Sequence, residues 1–227
     1  MKIVLTPEWF LGKDVAIDIF SFVILFIFFL LCLANYKMDK KKNFVYLGGG
    51  FLLVALGQLS TILTKLVLYY DTVVTQQIGQ VIVTSHILSS VDILYHVGFF
   101  LNRFFTLLGL FIIYKMLDKS KKTSDIIIIT YFIILSALIG SEVYYLYHLS
   151  VALFLFLIIY KYLKIWENNK NKNTLMLIIA FFILALAHFV LMLSQIGTLF
   201  VFGNILELIS YIILLFLIIK ILRPGDR

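Results

Sequence analysis

The chain has 227 residues, 63% of them hydrophobic and 14% charged, with a mean hydropathy of +1.07. Soluble domains carry roughly 25% charged residues, so there is too little polar surface here to cover a water-soluble globule, and lipid must solvate much of it. Cys32 is the single cysteine and the net charge is +7; an intrachain disulfide and a thiolate metal site are excluded.

Taken in chain order, the first feature is Thr6-Pro7-Glu8-Trp9, which reads as a helix start with Thr6 as cap and Pro7 in the first turn. Trp9 and Phe10 suit the headgroup level. A transmembrane helix needs about 20 apolar residues, and seven such spans follow: 15–35, 44–69, 93–114, 126–141, 143–165, 174–195 and 199–222. The fourth is short and ends at Gly140-Ser141-Glu142, which reads as a tight turn into the fifth. Residues 70–92 read as the one long loop, rich in Thr, Val, Ile and Gln, with Gly79 in the middle. Their apolar period fits either a hairpin or an interfacial helix. The chain is thus expected to be all-α, a single polytopic domain over 1–227. No soluble output domain is expected beside it, nor a cleavable signal peptide, because charge follows the first apolar segment.

Basic residues set the orientation. Lys37, Lys40, Lys41 and Lys42 follow span 1; Lys115, Lys119, Lys121 and Lys122 follow span 3; Lys161, Lys164, Lys170 and Lys172 follow span 5. Lys220, Arg223 and Arg227 end the chain. These make 15 of the 19 basic residues, all on one side of an alternating chain. The expected topology is N-terminus outside and C-terminus cytoplasmic, in a cell membrane. The basic rim faces anionic lipid headgroups, and no nucleic-acid partner is expected.

A shift of 130 residues lays spans 1 and 2 on spans 5 and 6 without a gap. Lys42-Asn43 falls on Lys172-Asn173, and Phe51, Ala55, Leu56 and Leu63 fall on Phe181, Ala185, Leu186 and Leu193. Asp18 meets His148, and Gln58 meets His188. A shift of 105 lays span 3 on span 7, matching Gly98 with Gly203, Lys115 with Lys220 and Asn102 with Glu207. The layout is a 3+1+3 parallel repeat: a first triple over 15–114, a linker helix over 126–141 and a second triple over 143–222.

This layout resembles that of the SWEET and PQ-loop transporters, with Asn102 and Glu207 where such carriers keep central polar pairs. The Pro-Gln motif is absent, and both prolines, Pro7 and Pro224, lie outside the spans. The strings Asn35-Tyr36 through Lys42, Gly50-Phe51-Leu52-Leu53, and Gly203-Asn204-Ile205-Leu206-Glu207 through Arg223 resemble poorly characterised seven-helix proteins of archaea and bacteria. Those are similar to the membrane sensor modules of signalling proteins.

Ionisable residues inside a span are costly and are functional candidates by default. Asp18, Lys65, Asp92, His96, Glu142 and His148 fall near the outer surface. Gln58, Asn102, Arg103, His188 and Glu207 fall deeper, while the cytoplasmic halves are almost purely apolar. An outward-opening polar pocket is expected. Arg103 reads either as an anchor for a polar ligand or as half of a structural ion pair with Glu207, with Asp18 an alternative partner. His188 reads as a helix–helix hydrogen bond or, beside Glu207 or Gln58, as a ligand or proton relay. Asp92, His96 and His148 form a possible zinc set, which would suit a metal-dependent membrane hydrolase. That logic resembles the seven-helix ceramidase and progestin-receptor-like families, although their histidines four apart are missing. No cofactor is expected. Span 7 has no mid-span lysine for a retinal Schiff base, and the histidine depths do not suggest a haem pair.

The leading functional expectation is a sensor or receptor-like module that binds a small polar ligand through Arg103, Glu207, His188, Gln58 and Asn102. Its signal would pass to a cytoplasmic partner. A carrier for a small polar solute is the alternative, and the hydrolase is the third reading; an enzyme is not favoured.

Overall fold

A computed structural model describes residues 7–78, 81–117, 129, 132–134, 136–138, 144–193 and 197–222. Side chains are described for these except Glu8, 68–93, Tyr144 and Leu222. The described residues are helical apart from short connections, with no strand among them. Six helices form the body: α1 (Lys13–Asp39), α2 (Lys42–Ile78), α3 (Val81–Leu117), α4 (Tyr144–Asn169), α5 (Lys172–Met192) and α6 (Gly197–Leu222). Each contains a stretch long and apolar enough to cross a membrane. Residues 129, 132–134 and 136–138, inside the expected fourth span, are helical too.

The surface explains why the helices need lipid. On α6 the exposed side chains include Phe202, Ile205, Ile209, Ile212, Phe216 and Ile219; on α5 they include Ile179, Phe182, Leu186 and Phe189; on α1 they include Ile19, Val23, Phe26 and Leu30. Steps of three and four residues keep each set on one helix face. A water-soluble helix turns such a stripe inward. Here it faces outward on three helices, far beyond the scattered apolar exposure of soluble proteins. The outward apolar faces suggest a multi-pass protein in a bilayer.

The chain begins differently from the expected helix start. Thr6 lies outside the described residues, and Glu8–Phe10 form a single 3-10 turn closed by the Phe10 N–H on the Pro7 carbonyl at 2.9 Å. The main helix starts only at Lys13, after Gly12 with φ of 83°. The Asp14 carboxylate accepts the Gly12 N–H at 3.1 Å, capping an amide that a helix N-terminus otherwise leaves without a partner. Trp9 is exposed and Phe10 buried.

The stretch 70–92 is not a loop. The α2 backbone stays helical to Ile78 and α3 begins at Val81. Each is 37 residues long, about 55 Å at 1.5 Å per residue, against a hydrocarbon thickness of about 30 Å. Within them, Lys42–Val67 and Leu94–Leu117 are apolar enough to span. Thr, Gln and Ser residues interrupt the apolar run between 71 and 92, which is why hydropathy does not mark it.

Successive helices pack on one another, and α1 packs on α6 to close the circuit. The contact between α2 and α3 is the most extensive, and glycine lies at its centre. A Cβ on Gly50 would sit 2.9 Å from the Gly109 carbonyl oxygen, and one on Gly109 would sit 2.6 Å from the Gly50 carbonyl oxygen. The two backbones touch there, the close approach that small residues permit between membrane helices.

Helix directions follow from paired side chains. Along α1 and α2, Asp18 meets Lys65 and Phe28 stacks on Phe51, so these helices are antiparallel. Along α3 and α4, Arg103 lies over Tyr147, Phe111 against Phe154, and Lys161 over Tyr114. Both numbers rise together, so α3 and α4 run parallel.

The ends of α1 and α4 also share details. Lys40 ends α1 with φ of 53°, and Lys170 follows α4 with φ of 48°; the two lie 130 positions apart. Lys40 N–H bonds the Tyr36 carbonyl at 2.8 Å, and Lys170 N–H bonds the Trp166 carbonyl at 2.7 Å, the same left-handed helix stop. Each lysine lies over the aromatic ring four residues before it. The matched pairs Phe51 and Phe181, and Ala55 and Ala185, are all buried, while Leu63 and Leu193 are both exposed.

Candidate functional site

Among the described residues, most buried polar side chains gather in one half of the bundle. Asp14, Asp18, Ser21, Thr61, Thr64, Arg103, Thr106, His148, His188, Asn204, Glu207 and Ser210 are buried. Those on α1, α2, α4 and α5, with Asn204 and Glu207 of α6, lie in the part of their helix nearer the end where α1 starts, the amino end; Arg103 joins them by lying over Tyr147. The other half is filled by Phe28, Cys32, Phe51, Phe111, Leu155, Ile158, Tyr162, Phe181, Leu214 and their neighbours.

The strongest interaction is a triad at the amino end. Asp14 and Asp18 stand four apart and so share a face of α1. The Lys65 ammonium from α2 bridges them, 2.6 Å from Asp18 Oδ2 and 3.0 Å from Asp14 Oδ2. Asp14 is fully buried and Asp18 nearly so. The spacing of Asp14 and Asp18 announces the shared face; the sequence singled out Asp18 and left Asp14 aside.

Gln58 and Glu207 come together. The Gln58 amide donates to Glu207 Oε1 at 3.4 Å, across from α2 to α6. Tyr211, one turn beyond Glu207, sets its hydroxyl against both. The expected ion pair of Glu207 with Arg103 is not formed. Glu207's charged neighbours are Asp18 and Lys65, whereas Arg103 lies over the rings of Phe99 at 6.0 Å and Tyr147 at 5.8 Å and beside His148. Similar depth on α3 and α6 does not bring the two residues together, because the helices stand at different places around the circuit. Asp18, the alternative partner, is held by Lys65. Asn102 accepts the Thr106 hydroxyl at 3.2 Å, within its own helix.

His148 and His188 meet, Nδ1 to Nδ1, at 2.9 Å, with rings 5.2 Å apart. One Nδ1 must carry the proton and the other accept it, so the rings hold opposite Nδ1 states. Tyr147 packs edge-on against both rings. His96 is exposed and packs against Tyr95. The Asp92 side chain and Glu142 lie outside the described residues, where no group of three His, Cys, Asp or Glu side chains converges among those that are described. Replacing His148 or His188 alone by leucine should leave one buried ring nitrogen without its partner, at about 1–3 kcal/mol. The double leucine variant should melt closer to wild type than either single variant in detergent; equal additive losses would show that the contact carries no coupling.

The lysine-rich end contrasts with this. Lys37, Lys40, Lys41, Lys42, Lys164, Lys170 and Lys172 are exposed there, and Lys164 lies 4.6 Å from the centre of the Tyr160 ring. Cations beside aromatic rings suit the headgroup level.

The arrangement defines a polytopic helical membrane protein with an ionisable network buried in one half of its bundle. The chain matches no protein-family model, no curated protein and no solved structure.

Proposed function

We propose that the protein is a receptor-like membrane module that binds a small polar ligand at the seam between its two triples, in the half facing outward. In this reading the segment 118–143 crosses the membrane, giving seven spans with the N-terminus outside and the C-terminus in the cytoplasm. The parallel course of α3 and α4 supports a crossing, because the chain leaves α3 at the lysine-rich end and re-enters α4 at the amino end. The lysine distribution supports the orientation. The shared helix stops at Lys40 and Lys170 support a parallel repeat.

One observation carries the binding role: polar and ionisable side chains of both triples meet at the seam. Gln58 of the first triple reaches Glu207 of the second, and Arg103 of the first lies over Tyr147 of the second. Holding such groups in a membrane is expensive, and a contact between two bodies is where a ligand can shift their relation. The apolar half below, closed by Phe28, Phe51, Leu155 and Phe181, offers no polar path onward and favours a receptor over a carrier. The basic rim would then meet a cytoplasmic partner.

A carrier is the second reading, favoured by the likeness of the two triples. Two measurements separate them. Small polar solutes should raise the melting temperature of the purified protein, and Gln58→Leu should weaken that effect. Proteoliposomes should show no uptake of the stabilising solute beyond protein-free vesicles; saturable uptake would establish the carrier. Stabilisation by no solute from a broad panel would remove the binding role.

A further inference from the structure

The buried carboxylates keep different company. Asp14 and Asp18 on α1 hold the Lys65 ammonium of α2 at 3.0 and 2.6 Å. Glu207 on α6 is also buried, but neutral groups touch it. They are the Gln58 amide of α2 at 3.4 Å and the hydroxyl of Tyr211, one turn along its own helix. Asp18 and Lys65, whose ion pair is with each other, act on Glu207 through space and with opposite sign. From α5, which also packs on α6, the buried titratable group is His188, and it is turned to His148 of α4. Tyr147 of α4 lies behind Tyr211.

We infer that Glu207 is a proton-binding site, and that the proton it holds keeps α2 and α6 in contact through Gln58. A proton needs no cavity, and the site operates with or without a bound solute. A charge is expensive to hold in a low-dielectric interior, and a carboxylate escapes that cost by pairing with a cation or by taking up a proton. Lys65 gives Asp14 and Asp18 the first route; neutral partners leave Glu207 the second. Those partners suit both states. An amide and a phenol each donate and accept, so Gln58 and Tyr211 can donate to the carboxylate or accept the O–H of the acid. A lysine or arginine has no acceptor for that O–H. The distances agree. Charge-assisted hydrogen bonds close to about 2.7–2.9 Å. Lys65 and Asp18 approach to 2.6 Å, whereas Gln58 and Glu207 keep a longer contact of 3.4 Å. When the proton passes to solvent, a further negative charge appears beside Asp18, and water must enter between α2 and α6 to solvate it. The packed state thus holds a proton that the loosened state releases, so its stability falls as pH rises.

The test uses the full chain in detergent or nanodiscs. Melting temperature is followed from about pH 5.5 to about pH 9, a range in which exposed Asp, Glu and Lys mostly keep their charge. Wild type should lose several degrees as pH rises. Glu207→Gln, which keeps a neutral hydrogen-bonding group in place, should lose that dependence and hold its acid-side melting temperature throughout. The double leucine variant of His148 and His188 should retain the wild-type fall, which separates the carboxyl from the imidazoles. A second readout needs no variant. Wild-type protein carrying carboxyl-labelled glutamate should show, by infrared difference spectroscopy, a protonated glutamate carboxyl that disappears over the same pH range as the melting change. An unchanged fall in Glu207→Gln, or a fall abolished by the histidine changes, would overturn the assignment. So would the absence of a labelled protonated carboxyl at about pH 6, where exposed glutamates are ionised; this outcome decides the matter even if Glu207→Gln fails to fold.

Discussion

Lys65→Met should destabilise the protein more than any other single change at a polar side chain. The substitution leaves Asp14 and Asp18, four apart on one helix face and both buried, without the ammonium that bridges them at 3.0 and 2.6 Å. Removing one partner of a buried ion pair costs about 3–5 kcal/mol, whereas replacing all partners by neutral groups is often close to neutral. The triple change Lys65→Met, Asp14→Asn and Asp18→Asn should therefore recover much of the loss. Asp14→Asn alone should be milder, since Asp18 and Lys65 then remain as a one-to-one pair. Melting of these variants in detergent decides the point. A Lys65→Met protein that melts with wild type would show that water, and not the lysine, compensates the two carboxylates.

The glycine contact between α2 and α3 should be the most sensitive apolar position. Gly50→Leu or Gly109→Leu drives a side chain into the facing backbone, where even a Cβ would lie 2.9 or 2.6 Å from the opposite carbonyl oxygen. Overpacking of a closed core typically costs about 1–3 kcal/mol, occasionally more, and here backbone must separate before any rotamer relieves the clash. Loss of folded protein on size-exclusion chromatography is the expected result for leucine, with alanine intermediate. The comparison position is Gly49, where an added Cβ meets nothing within 4 Å; Gly49→Leu should behave like wild type. Equal tolerance at Gly49 and Gly109 would mean that the helices do not touch there.

The body of the fold was legible because lipid imposes simple rules. Each span must be apolar over a set length, so the ends of α1, α4, α5 and α6 fell within a few residues of expectation. The continuation of α2 to Ile78 and the start of α3 at Val81 were not legible, since Thr, Gln and Ser residues break the apolar run there. Site depth was legible as well: position along a helix places Gln58, Arg103, His188 and Glu207 in one half of the bundle. Direction around the helix was harder. Arg103 and Glu207 share a depth yet face different neighbours, and only the packing circuit reveals it. Tyr147 and Tyr211 escaped notice because tyrosine counts as an apolar residue in a span; the four-residue step from Glu207 to Tyr211 was the available signal. His148 and His188 were each singled out, but their contact depends on how α4 lies on α5.

The most direct test of the seven-span account is the sidedness of two matched turns. Asp39 closes α1 and Asn169 closes α4, and both are exposed. With Cys32, buried in the core, replaced by alanine, a cysteine is placed at Asp39 or at Asn169. Intact cells are then treated with a membrane-impermeant thiol reagent, and Trp9→Cys serves as the outside control. Seven crossings put both turns in the cytoplasm, so neither should label until the membrane is permeabilised, while Trp9→Cys labels at once. Six crossings, with residues 118–143 returning to the side they left, would put the two turns on opposite faces, and labelling of Asn169→Cys from outside while Asp39→Cys stays protected would contradict the account.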